Sequence, residues 1–93
     1  MKTRILAVCP YEALQDLILD IAQERDDVEV TSVVGDLSAG QRLLERVRGM
    51  LEGCDAIISR GGTMRMLQEN VQTPMIEISS NGFDIMRIVR LLR

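Results

Sequence analysis

The chain has 93 residues, enough for one domain with a single hydrophobic core and too few for two. Its apolar fraction is 46%, with one Phe, one Tyr, no Trp and six Met, so the core is aliphatic and Met-filled. A net charge of -3 argues against a basic face for DNA or an acidic membrane, and the absence of His excludes a Cys/His zinc site and a Ser-His triad within this chain.

In chain order, TRILAVC (3–9) reads as a strand, followed by the helical pattern YEALQDLILDIAQE (11–24). That helix places Leu14, Leu17, Ile18, Ile21 and Ala22 on one face and acids on the other. VEVTSVV (28–34) partly alternates, as a half-covered strand near a sheet edge does. DLSAGQRLLERVRGMLEG (36–53) predicts a helix burying Leu43, Leu44, Val47 and Leu51, with Gly53 as its stop. DAIIS (55–59) is a short, continuously apolar strand for the sheet centre, and GTMRMLQEN (62–70) is a short helix. TPMIEIS (73–79) is a strand with a proline near its start, where one is tolerated. NGFDIMRIVRLLR (81–93) closes the chain as a helix whose Arg87, Arg90 and Arg93 suit its C-terminal dipole.

The alternation β-α-β-α-β-α-β-α predicts a three-layer α/β fold. Its four-stranded parallel sheet takes the flavodoxin-like order 2-1-3-4, with helices on both faces. Residues 1–93 then form one lobe, with no linker or internal repeat. The chain ends in or just after an amphipathic helix without a polar tail, as a piece of a longer protein would. Cys9 and Cys54 make no disulfide framework, and no run has the length of a membrane span or signal peptide, so the expected location is the cytoplasm.

Ligands of open parallel sheets bind outside the carboxyl ends of the strands. Four loops lie there: CPYE, GDLSAG, SRGGT and SSNGFD. In SRGGT, Gly61 and Gly62 permit positive φ and close backbone approach. The helix that follows points free N–H groups outward, favouring an anion, and Arg60 adds a bidentate clamp for carboxylate or phosphate. Ser59 and Thr63 add hydroxyl donors, while Ser80 and Tyr11 fall at the rim. The same residues would equally serve a tight strand-to-helix turn with Ser59 or Thr63 as cap. Ser79, Ser80 and Asn81 are natural caps for the last helix, and Asp36 or Ser38 for the second.

A rival chemistry is a thiol nucleophile on Cys9. Sugar-transport phosphocarriers of the IIB type place a Cys after the first strand of a small parallel sheet. Their loop is small and Gly- or Ser-rich, whereas here Pro10 removes a backbone donor and Tyr11 and Glu12 add bulk and negative charge. Tyrosine-phosphatase spacing between Cys and Arg is absent. So is the acidic pattern of a phospho-receiver, since Cys9-Pro10 and Ser59-Arg60 stand where its carboxylates would be.

ISRGGT (58–63), followed by PMIEI (74–78) and GFDI (82–85), resembles the N-terminal sensor domain of the propionate catabolism activators, a branch of the sigma-54-dependent transcriptional regulators. PYEAL (10–14) and GDL (35–37) fit the same pattern, so the resemblance spans nearly the whole chain. Met64 stands where the family often has a small residue, and Phe83 where tyrosine is commoner. The resemblance implies the first lobe of a two-lobed effector-sensing module. It implies a small anionic effector, 2-methylcitrate in the propionate branch, bound between the lobes. It also implies a downstream AAA+ ATPase that the domain restrains and a C-terminal DNA-binding motif. On this view the chain is not an enzyme, needs no cofactor or metal, and touches neither nucleic acid nor membrane itself. Its partners are the effector, the second lobe and the ATPase, and the apolar surface left by a missing lobe suggests self-association.

Overall fold

The computed structural model describes residues 3–35, 38 and 40–77. Four strands and three helices alternate: β1 Thr3–Cys9, α1 Glu12–Gln23, β2 Val28–Val34, α2 Gly40–Gly49, β3 Ala56–Ser59, α3 Gly61–Asn70 and β4 Met75–Glu77. Every strand pair is parallel, and the order is β2-β1-β3-β4. The predicted flavodoxin-like α/β arrangement is therefore the observed one. The expected fourth helix (81–93) and the last residues of the expected fourth strand (78–79) lie outside the described residues.

The register explains which strands are apolar throughout. β1 pairs with β2 along its whole length (Thr3↔Val28 to Cys9↔Val34) and with β3 through Ile5↔Ala56, Leu6↔Ile57 and Ala7↔Ile58. Both central strands are covered on both faces, so Ile5 to Cys9 and Ala56 to Ser59 are all buried. β2 has β1 on one side only and keeps the mixed exposure that its alternating sequence foretold.

Alternate residues of the central strands feed two cores. Ile5, Ala7, Cys9 and Ile58 pack with Leu14 and Ile18 of α1. Leu6, Val8 and Ile57 pack with Leu43, Leu44 and Val47 of α2 and Leu67 of α3. Thus α1 covers one face, and α2 and α3 share the other. Right-handed crossovers require this division, because the connection out of β1 runs one way along the sheet and the next two run the other way.

Two expectations are corrected at residue level. Leu17 is 39% exposed rather than buried, because α1 turns only a narrow stripe, Leu14 and Ile18, fully into the sheet. α2 ends at Gly49, four residues before the expected stop. There the Met50 N–H reaches back to the Val47 carbonyl at 2.9 Å and tightens the turn. Gly53 instead takes a left-handed conformation (φ 78°) in the bend that leads into β3.

Candidate functional site

β1 and β3 lie side by side, and the helices that follow them leave for opposite faces of the sheet. This divergence opens a crevice outside the carboxyl ends of the two strands, the general ligand position of open α/β sheets. An open hollow of about 460 Å³ lies there, lined by Pro10, Tyr11, Ser38, Arg60, Gly61, Gly62 and Thr63. It joins residues from three loops that the sequence singled out separately.

Arg60 is the half-buried N-cap residue of α3, with extended backbone (φ -153°, ψ 157°). Tyr11 holds the same position and the same conformation at the start of α1. Neither helix start receives a side-chain cap. The two side chains meet each other instead: Arg60 Nη1 donates to the Tyr11 Oη at 2.9 Å. Gly61 adopts φ 63°, and a Cβ built there would meet no atom within 4 Å. The glycine is thus required by backbone conformation, with open space above it. Thr63 is buried at 3% exposure and still borders the hollow.

Ser59, expected as a hydroxyl donor, does not line the hollow. It is fully buried, and its hydroxyl donates to the Val8 carbonyl at 2.7 Å. It ties the ends of β1 and β3 together beneath the hollow. It does not cap α3 either, and Thr63 is likewise not the cap, that position being Arg60. Ser80 lies outside the described residues.

The sequence reading missed a flank of this region. A further hollow of about 390 Å³ abuts the same glycines and is lined by Met64, Arg65, Gln68 and Glu77. The available signal was helix phase: Gly61, Arg65 and Gln68 follow one another at four- and three-residue steps and share a face of α3. At the opposite, amino edge of the sheet a smaller hollow of about 170 Å³ contains Arg4, Glu29 and Glu52. Its cation is already engaged, with Arg4 Nε 3.4 Å from a Glu29 carboxylate oxygen.

Cys9 offers no nucleophile. Its side chain is fully buried, and desolvation pushes its thiol from the ordinary 9.0 up to about 11, which disfavours the thiolate needed for attack. The phosphocarrier alternative therefore loses its reactive group. Cys54 is half-buried, with its Sγ 3.0 Å from the Ala56 carbonyl. Among the described residues no group of His, Cys, Asp and Glu could hold a metal ion, and no helix is long and apolar enough to cross a membrane.

In comparisons with known proteins, the family described as propionate catabolism activator matches residues 24–93. That stretch contains β2, β3, β4, α2 and α3, together with the Arg60-Gly61-Gly62-Thr63 turn. No curated protein and no solved structure gives a match.

Proposed function

This chain belongs to the propionate catabolism activator family, as its N-terminal sensor domain, and from that premise we propose that it is the first lobe of a two-lobed module that binds a small anionic metabolite. The observation that carries the reading is the convergence on one open hollow of Arg60, a left-handed Gly61 and an α3 start without a side-chain cap. Together they supply a guanidinium fork and outward N–H groups, the donors that a carboxylate accepts from. Arg60 is the clamp, and the backbone of Gly61 and Gly62 allows close approach. Thr63 contributes from the wall, and Tyr11 stands at the rim, bonded to Arg60. Ser59 acts beneath the site by holding β1 to β3.

The class of effector is a small polycarboxylate, with 2-methylcitrate the member that the family suggests. Its binding favours closure of this lobe on a second one and relieves restraint of a downstream AAA+ ATPase. This is a shift of population between two arrangements, driven by the effector's tighter binding to one of them. The lobe itself performs no chemistry, binds no nucleic acid and works in the cytoplasm.

The test is an NMR amide titration with 2-methylcitrate, citrate and phosphate on the wild type and on Arg60→Ala. Saturable shifts at Gly61 to Thr63 that disappear in the variant are expected. Shifts absent at millimolar ligand, both here and in a chain extended through the second lobe, would remove the reading.

A further inference from the structure

We propose that Tyr11 is the residue that sets the selectivity of this hollow, because its phenol oxygen holds a donor of Arg60 for which an incoming ligand competes. The proposal rests on the reading of the hollow as an anion site. The Arg60 Nη1 to Tyr11 Oη hydrogen bond of 2.9 Å joins residues 49 positions apart and crosses the mouth of the crevice. Close packing does not impose it, since Tyr11 is 45% exposed. Each partner sits at the start of its own helix, where a side chain would ordinarily cap backbone N–H groups, and neither does so. Arg60 therefore meets a neutral acceptor at the entrance to the hollow.

A phenol accepts one hydrogen bond from a guanidinium and carries no charge. A carboxylate offers two oxygens and a full charge, and accepts two parallel bonds. An anion can therefore displace Tyr11 from Arg60, whereas a neutral polyol or amide exchanges one neutral acceptor for another and gains little. The contact filters ligands by charge. Displacement also releases the phenol toward solvent, so occupancy of the site changes the surroundings of Tyr11.

The chain has one Tyr and no Trp, so its intrinsic emission reports this residue alone. The experiment titrates citrate, inorganic phosphate and the neutral polyol inositol into the wild type, Tyr11→Phe and Arg60→Ala, following heat, and tyrosine emission wherever Tyr11 is present. Citrate is expected to change wild-type emission saturably, with the same midpoint as its binding heat, while inositol changes neither. Tyr11→Phe is expected to bind citrate roughly threefold tighter, because the competing acceptor is gone. Arg60→Ala is expected to give no response. Citrate heat without an emission change, or a Tyr11→Phe variant that binds citrate equally or more weakly, would overturn the displacement and leave the anion site standing. No heat from either anion in both the wild type and Tyr11→Phe, here and in a chain extended through the second lobe, would overturn the anion site, and this proposal with it.

Discussion

Ser59 and Arg60 are neighbours with opposite environments, and substitutions separate their roles. Ser59→Ala removes a buried hydrogen bond to the Val8 carbonyl and is expected to cost about 1–2 kcal/mol of stability, read from the urea midpoint. Anion affinity should change far less than in Arg60→Ala, which in turn should leave the midpoint nearly unmoved. Cys9 gives a prediction in pH. Its folded pKa of about 11 lies above the ordinary 9.0, so burial of the neutral thiol contributes its full stabilisation below pH 9. That contribution is lost as pH rises through about 11. The fall in unfolding free energy between these values is therefore expected to be steeper in the wild type than in Cys9→Ala. At neutral pH, Cys54 is expected to react with a thiol reagent well before Cys9, because Cys9 is fully buried and Cys54 only half. Mass spectrometry of the labelled peptides checks the order.

At the scale of the elements, α1 shows how narrow a stripe holds a helix to the sheet. Leu17 and Ile18 are adjacent, yet Leu17 is 39% exposed and Ile18 only 1%. Ile18→Ala is expected to cost about 3 kcal/mol and Leu17→Ala within about 1 kcal/mol, both by denaturant unfolding. Strand positions were legible in the sequence because their burial is extreme. Ile5 to Cys9 and Ala56 to Ile58 are covered on two faces, which favours an unbroken apolar run, and β2 alternates because it is an edge. The turn after β3 was legible from glycine, since Gly61 takes the left-handed conformation that favours this residue. Leu17 was misplaced because helical spacing gives an apolar face but not how far the sheet extends beneath it. The end of α2 was misplaced because Gly49 and Gly53 carry the same stop signal, and the tertiary turn into β3 uses the second for a bend rather than a cap. Tyr11 meeting Arg60, and Arg65 flanking the glycines, depend on how loops from different strands approach one another, which residue spacing does not encode.

For the whole molecule, a ligand that binds only the folded chain must raise its stability. At a hundredfold excess over its Kd, an anion contributes about 2.7 kcal/mol, roughly 10–20 degrees in Tm for a domain of this length. A thermal shift of that order with 2-methylcitrate or citrate, absent in Arg60→Ala, is the expected outcome. The sheet order also has a kinetic meaning. β1 completes its surroundings only with β3, whose Ala56 pairs with Ile5, so the central pairing closes a loop of about fifty residues before any of its contacts form. During synthesis β1 waits for more than half of the chain to leave the ribosome, with its apolar residues covered at first by α1 and β2 alone. The hollow brings residue 11 to residue 60, so a chain that binds an anion there, as proposed, is one in which this closure has already succeeded, and small molecules of the right charge would then hold newly made copies in the finished state.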